Sequence, residues 1–337
     1  MPRVKMEDIA KMAGVSKSTV SQYLNKRYEF MSAETRERIE KVIRETGYQP
    51  NALARGLKVK RTQTIGIIIA NILHYFSTAV CRGIEDYCNQ HGYNVIICNA
   101  DDDPAKERGY IDMLLAKQVD GIICVTTGEN NELLGELAAR KYPLVLVDRK
   151  AEGIETDGVY SNNEQGAFDA VVHMIRTGHR RIALLSPELQ RVSTRKERYA
   201  GYVKALQTNG IPVNDAYVKF VREFSALKDI LQGLLRLPEP PTALFCSNDL
   251  STMETLRALK EGGIRVPERI AIVGFDDSPW TDLLEPPLTR VVQRTFEIGA
   301  LSAEKLLRQI EQPDEVGPAV QIMDCALKIG GTCRFDV

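Results

Sequence analysis

Residues 5–63 read KMEDIAKMAGVSKSTVSQYLNKRYEFMSAETRERIEKVIRETGYQPNALARGLKVKRTQ, and this stretch decides how the chain is organised. Met6–Met12 predicts a short helix with Ile9, Ala10 and Ala13 on its inward face, ended by Gly14. Ser16 is placed to cap a second helix, Lys17 to Leu24, in which Val20 and Leu24 point inward at i,i+4 spacing. Two short helices meeting at an Ala-Gly-Val corner make a helix-turn-helix, whose second helix lies in a major groove of DNA. A third helix starts at Ser32, with Glu34 and Glu37 near its positive end. Its inward face is Ile39, Val42 and Ile43, and Gly47 and Pro50 close it. Lys17, Ser18 and Gln22 face outward from the second helix and suit base edges; Thr19, Ser21 and Asn25 suit phosphates or positioning.

The charge distribution agrees. Residues 1–64 hold 14 Lys and Arg against 7 Asp and Glu, whereas the remainder holds 30 against 38. A small basic module on an acidic body is the electrostatic footprint of a DNA-binding protein. A solvated three-helix bundle, kept soluble by its charges, is the plainer reading of the same residues.

The run Gly47-Tyr48-Gln49-Pro50-Asn51-Ala52-Leu53-Ala54-Arg55-Gly56-Leu57-Lys58 carries further information, together with Gly14-Val15-Ser16 and Thr19-Val20-Ser21. In these motifs, and along essentially its whole length, the chain resembles the lactose-repressor (LacI/GalR) family of bacterial transcription factors. The resemblance implies a hinge helix at Asn51–Leu57 that forms in the minor groove, with Leu57 wedged between base pairs and Asn51, Arg55 and Lys58 beside the DNA. Chain physics supports this independently. Seven or eight residues are too few for a stable isolated helix, and Gly56 costs roughly a further 1 kcal/mol relative to Ala. Such a segment orders only against DNA and a partner hinge. Two departures from the family stand out: Lys5 replaces the usual Thr or Ser cap of the first helix, and the Lys26–Met31 loop is one residue longer.

With 337 residues the chain exceeds one comfortable core, and its 44% hydrophobic and 26% charged composition is ordinary for a globular protein. No apolar run approaches the roughly 20 residues that span a bilayer, and MPRVKMEDIA has no signal core, so a cytoplasmic protein is expected. The seven cysteines include no Cys-x-x-Cys pair; Cys98, Cys124 and Cys246 sit in Val/Ile-rich runs as small core residues. Four scattered histidines give no zinc signature, so neither metal nor cofactor is expected.

From residue 64 onward the pattern repeats. Apolar strands at Thr64-IGIIIA, Tyr93-NVIICN, Gly121-IICV and Pro143-LVLVD alternate with helices at Phe76–His91, Lys106–Lys117 and Leu133–Arg140. A second series runs helix Glu164–Thr177, strand Arg181-IALLS, helices Arg195–Asn209 and Ser225–Leu235, strand Thr242-ALFCS, helix Leu250–Glu261 and strand Ile270-AIVGFD. Alternation of this kind indicates parallel sheets covered on both faces. The expected fold is therefore α/β, an all-α helix-turn-helix headpiece followed by two doubly wound parallel-sheet lobes with a ligand cleft between them. The resemblance adds a periplasmic-binding-protein-like course, with crossings between lobes near 161, 292 and 324 and helix Phe296–Gln312 returning to the first lobe. The expected divisions are 1–49 for the DNA-binding domain, 50–61 for the hinge, 62–161 plus 293–323 for the N-lobe, and 162–292 plus 324–337 for the C-lobe. A nucleotide enzyme would need a Gly-x-Gly-x-x-Gly turn after a strand or a Walker-type Gly-Lys-Ser/Thr, and neither occurs.

Ligands of such lobes bind beyond the C-terminal ends of strands. The loops there match the family's effector contacts at Tyr75, Phe76, Asp148, Arg149, Arg195, Arg198, Phe224, Asn248, Asp276 and Gln293. Each has a plainer reading: Tyr75 and Phe76 as a helix-start staple, Asp276 as a turn cap, Arg149 and Arg195 as surface charges paired with Glu152 and Glu197. Arg191, Arg195, Lys196 and Arg198 lie within eight residues, which favours an anionic sugar derivative, because a carboxylate accepts a bidentate guanidinium. In the competing view Glu188 and Glu197 neutralise those arginines and the site takes an uncharged sugar. The resemblance further implies a homodimer on pseudo-palindromic operator DNA, controlled by a sugar or sugar-acid effector, most relatives being repressors. It leaves open a catabolite-control-type regulator that docks a phosphorylated carrier protein; helix Ser77–His91 offers such a phosphate only Arg82.

Overall fold

The computed structural model describes residues 4–48, 61–313 and 317–334. Asn51, Arg55, Leu57 and Lys58 lie outside these residues. The chain divides into two compact units, Met1–Thr62 and Gln63–Val337.

Three helices form the first unit: α1 (Met6–Ala13), α2 (Lys17–Leu24) and α3 (Ala33–Thr46). Lysine cannot accept a backbone N–H at the start of α1. Asp8 serves the helix start instead, its carboxylate accepting from the Lys5 N–H at 2.8 Å. Gly14 and Gly47 end α1 and α3 in the left-handed region, at φ 64° and 61°, where a Cβ would be strained. Ser16 and Ser32 cap α2 and α3 by accepting from the backbone N–H groups of Thr19 and Thr35. Ile9, Ala10, Ala13, Val20, Ile39 and Val42 are buried together, with Ile43 and Leu24 packed on their edge. The loop before α3 contains a 3-10 turn, Tyr28–Phe30, and the Arg36 guanidinium stacks 4.0 Å from the Tyr28 ring centroid.

The second unit is built on two six-stranded sheets. The first holds β1 (Thr64–Ile69), β2 (Asn94–Asn99), β3 (Gly121–Cys124), β4 (Leu144–Val147), β5 (Asp157–Ser161) and β11 (Val320–Met323), all parallel, in the order β11-β5-β4-β3-β1-β2. The second holds β6 (Ile182–Pro187), β7 (Val218–Val221), β8 (Ala243–Cys246), β9 (Ala271–Phe275), β10 (Thr289–Val292) and β12 (Ala326–Lys328), in the order β12-β10-β9-β8-β6-β7. Only the β10–β12 pair of the second sheet is antiparallel. The chain thus leaves the first sheet after Ser161, comes back after Val292, and crosses again between Met323 and Ala326.

Helices cover both faces: α4 (Tyr75–Gln90), α5 (Pro104–Ala116) and α6 (Asn131–Ala139) in the first half, α7 (Asn163–Arg176), α8 (Ser193–Thr208), α9 (Leu227–Leu235) and α10 (Asp249–Glu261) in the second. The last helix, α11 (Thr295–Glu311), packs against α4 and the first sheet. Glycine permits the approach of these two helices. A Cβ on Gly83 would lie 2.2 Å from the Phe296 carbonyl oxygen, and one on Gly299 would lie 2.2 Å from that of Val80. A buried polar knot fastens α11 to β5: Gln309 Nε2 and the Ala319 N–H donate to Asp157 at 2.7 and 2.8 Å, and Lys305 Nζ stands 3.5 Å away.

The strands and helices expected from residue 64 onward appear within a few residues of their expected limits. Five strands had no signal of their own: β5, β7, β10, β11 and β12. β11 and β12 are exposed edge strands, and β5 (DGVYS) is buried by its position between neighbours rather than by an apolar run. All seven cysteines are free thiols, and burial pushes those of Cys88 and Cys246 up to about 12.

Candidate ligand cleft and nucleic-acid interface

In the first unit α2 presents its polar face outward. Lys17 pairs with Glu7 of α1 at 2.8 Å, with both side chains more than half exposed. Their hydrogen bond and mutual charge raise the Lys17 pKa and lower that of Glu7. An exposed pair of this kind is weak, so it does little to fix the Lys17 side chain. The Ser18 and Thr19 hydroxyls hydrogen-bond Ser16 Oγ at 2.6 and 2.8 Å, and Asn25 Nδ2 donates to the Ser21 carbonyl at 2.8 Å. These groups are tied into the two ends of α2. Gln22 stands half-buried between them.

In the second unit the strand ends of the two sheets face one another. A cavity of about 50 Å³ lies between them, lined by Phe76, Asp148, Arg149, Arg195, Arg198, Asn248 and Asp276 among others. It opens toward a chamber of about 470 Å³ bordered by Asp102, Glu188, Arg222 and Phe224, and shares Asn71, His74, Arg195 and Asn248 with it. Gln293 sits behind the cavity, where its Nε2 donates to Asp276 Oδ1. Tyr75 is placed differently. Its ring borders a separate outer groove of about 270 Å³ with Leu73, Leu250, Met253 and Trp280, while Phe76 turns inward.

Each arginine is held by a different set of partners. Arg198 donates through Nε to Asn163 Oδ1 at 2.8 Å and through one terminal nitrogen to the Ser247 carbonyl at 2.7 Å. It lies 3.6 Å from Asp276, with its guanidinium 3.8 Å from the Phe275 ring centroid. Arg149 donates to Asp102 at 2.7 Å and to the Thr126 carbonyl at 3.3 Å. Arg195 donates to the Glu188 carbonyl at 2.9 Å and reaches Asp102 at only 3.8 Å. Arg149 and Arg195 are therefore not surface charges paired with Glu152 and Glu197. Glu197 pairs with Lys150 at 2.5 Å rather than with an arginine of the cleft, and Glu188 pairs with Arg222 while its charge also acts on Arg195. Arg191 is exposed and paired with Glu129, and Lys196 is exposed.

The carboxylates among these arginines are Asp102, Asp148 and Asp276. Burial raises the Asp148 pKa to about 6, although Arg198 and Arg149 pull it down. Burial likewise raises Asp276 against the pull of Arg198. For Asp102, burial is outweighed by Arg149 and Arg195, and its pKa falls. The guanidiniums also act on each other: burial first, then Arg149, lower the Arg195 pKa to about 10. Two buried polar atoms of the cavity, Arg149 Nε and Asp148 Oδ1, make no hydrogen bond. Unpaired groups of this kind are costly in a dry interior.

Several participants had no individual signal in the sequence. Glu107, fully buried on α5, accepts from the Thr127 N–H at 2.7 Å and from Thr126 Oγ1 at 3.1 Å, which fixes the loop after β3. His74 and Asp249 lie in segments that strand-end reasoning marks and Asp102 does not, and nothing in their spacing says which carboxylate meets which cation. Among the described residues no cluster of His, Cys, Asp and Glu could hold a metal ion, and no helix is long and apolar enough to cross a membrane.

Comparisons with known proteins agree with this geometry. Residues 5–51 match the model of bacterial regulatory proteins of the lacI family, and residues 171–333 match a periplasmic binding protein-like domain. The chain is 39% identical over 312 residues to a probable HTH-type transcriptional regulator EndR of Paenibacillus polymyxa, with 92% of both chains covered. It is 34% identical over 311 residues to the HTH-type transcriptional regulator KdgR of Bacillus subtilis, with 91% of both covered. Among solved structures, the lac repressor dimer bound to operator and the anti-inducer ONPF superposes with a TM-score of 0.86 at 27% identity, covering 99% of this chain and 100% of that one.

Proposed function

Because the chain belongs to the LacI family of bacterial transcriptional regulators, we propose that a small anionic sugar derivative, bound between its two lobes, controls its grip on operator DNA. The observation that carries this reading is Arg195. Its side chain, 17% exposed, stands beside two other guanidiniums, and its own carboxylate partner, Asp102, stands 3.8 Å away and is shared with Arg149. A ligand carboxylate at Arg195 relieves that repulsion and accepts charge-assisted hydrogen bonds. Asp148, Asn248 and Asp276 are then the groups for hydroxyls, and Phe224 supplies a face for a ring or chain. The lobes run 62–161 plus 293–323 and 162–292 plus 324–337 on this reading, with 50–61 as the hinge.

The working unit on DNA is a homodimer in the cytoplasm. One α2 helix and one hinge read too few base pairs to compete with non-specific sites, and two-fold symmetry doubles the site. Exposed apolar side chains favour association of the larger unit: Leu73 is 72% exposed beside the outer groove, and Leu283 is 81% exposed. Calorimetric titration of the full chain with sugar acids, their neutral parents and sugar phosphates tests the ligand. Binding of an acid but not of its parent supports the proposal. Binding of a neutral sugar with every acid inert overturns it.

A further inference from the structure

The lobes also touch at the cleft through a contact between two side chains to which the proposed ligand reading gives no role. His74 is the residue just before α4, on the first lobe. Its Nδ1 hydrogen-bonds Asp249 Oδ1 at the start of α10, on the second. The other carboxylate oxygen of Asp249 accepts the Tyr75 backbone N–H at 2.8 Å. One carboxylate thus holds both the imidazole and the first amide of the opposing helix. Side-chain exposure is 16% for His74 and 6% for Asp249, so water screens the pair little. The imidazole also borders the inner cavity, the outer chamber and the outer groove.

We propose that His74 and Asp249 form a proton-dependent latch, so that closing the cleft takes up a proton. The proposal rests on the two-lobe reading of the cleft but not on the identity of its ligand. If the lobes part, His74 returns to water and loses its carboxylate. The charged groups facing it from the elements around it are Asp249 on α10, Asp276 after β9, Arg149 and Asp148 after β4, and Asp102 after β2. Burial opposes protonation of the imidazole. The Asp249 hydrogen bond and charge, helped by Asp276 and resisted by Arg149, outweigh it and hold the His74 pKa above 6.5. The sign follows from linkage. A group whose pKa is higher in the closed form stabilises closure fully below its open-form value, near 6.5, and loses that effect as pH rises through the closed-form value. Each unit of difference is worth about tenfold in the closing equilibrium.

Two backbone amides report closure directly. The Tyr75 N–H donates to Asp249, and the Lys150 N–H donates across the cleft to Ser193 Oγ at 2.8 Å. Lys150 lies away from the latch, so a purely local change at His74 leaves its amide untouched. The test is hydrogen–deuterium exchange of the ligand-free full chain from about pH 6.5 to 8.5, corrected for the intrinsic rate at each pH, on wild type, His74→Gln and Asp249→Asn. Expected is a several-fold fall in protection at both amides in wild type as pH rises. Protection in His74→Gln is flat with pH. In Asp249→Asn it is lower at pH 6.5 and also flat, while core amides of β1 stay protected in all three proteins. Flat protection in wild type, an unchanged slope in His74→Gln, or a fall at Tyr75 without one at Lys150 each overturns the latch. Because no ligand is present, failure of the anionic-effector proposal leaves this result intact.

Discussion

Arg198→Ala removes the most completely partnered cation of the cleft, and its cost can be worked from the contacts. The side chain is 8% exposed and Asp276 is 6% exposed. Deletion forfeits hydrogen bonds to Asn163 and Ser247, removes the guanidinium from the face of Phe275, and leaves the Asp276 carboxyl without its cation. Breaking one side of a buried pair costs about 3–5 kcal/mol. Asp276 can escape part of that cost by taking a proton, so about 3 kcal/mol is expected at neutral pH. Burial already raises the folded-state pKa of Asp276 above 3.8, and loss of Arg198 raises it further. A carboxyl whose folded pKa exceeds its unfolded value destabilises the fold progressively as pH climbs between the two. The deficit against wild type is therefore smallest near pH 4 and largest at neutral pH. The sole tryptophan, Trp280, lies in the larger unit, so its fluorescence follows that unit alone on heating. The melting temperature should drop by roughly 6–12 °C at about pH 7.5, taking about 2–4 °C per kcal/mol, and by clearly less at about pH 5. A drop under about 2 °C, or an equal drop at both pH values, refutes the reasoning.

Three further outcomes are expected. Gly83→Ala sets a Cβ 2.2 Å from the Phe296 carbonyl, so α4 and α11 must separate; calorimetry should show a loss of about 1–3 kcal/mol. Exchanging the residues at Lys17 and Ser18 should change which half-site binds, at about 1–3 kcal/mol per base pair by fluorescence anisotropy; uniform weakening over all operator variants instead assigns them to phosphates. Leu57→Ala should abolish high-affinity operator binding while dimerisation by ultracentrifugation persists; unchanged operator affinity would show that Leu57 fills no unstacked base step.

The headpiece was legible because its signals are local. Ser16, Gly14, Ser32 and Gly47 act on the residues beside them, and Val20, Ile39 and Val42 fall at helical spacing. Central strands such as TIGIII and ALFC announce themselves by apolar runs. The edge strands β11 and β12 do not, since pairing with neighbours distant in sequence makes them strands. The cleft divided the same way. Strand-end position brought Asp148, Arg149, Asn248 and Asp276 to one cavity and the family resemblance pointed to Arg198, whereas the partner of each charge is a tertiary fact. Arg149 meets Asp102, 47 positions away, and His74 meets Asp249, 175 away. Glu197, adjacent to Arg198, turns instead to Lys150 of the opposite lobe. Local charge spacing overestimated how many of the clustered cations face the cleft, because Arg191 and Lys196 are exposed.

Control of operator affinity from the cleft is tested most directly by one titration. A labelled operator, selected from a random duplex pool by the full chain, is titrated with protein at fixed salt. The titration is repeated with and without a saturating sugar acid that binds in calorimetry, and Arg195→Ala, which lacks the guanidinium proposed to hold the acid, serves as the ligand-blind control. A shift in operator Kd of at least about fivefold is expected in wild type, tighter for a corepressor or weaker for an inducer, and none in the control. Superimposable curves for wild type with and without saturating acid contradict the coupling of cleft to DNA.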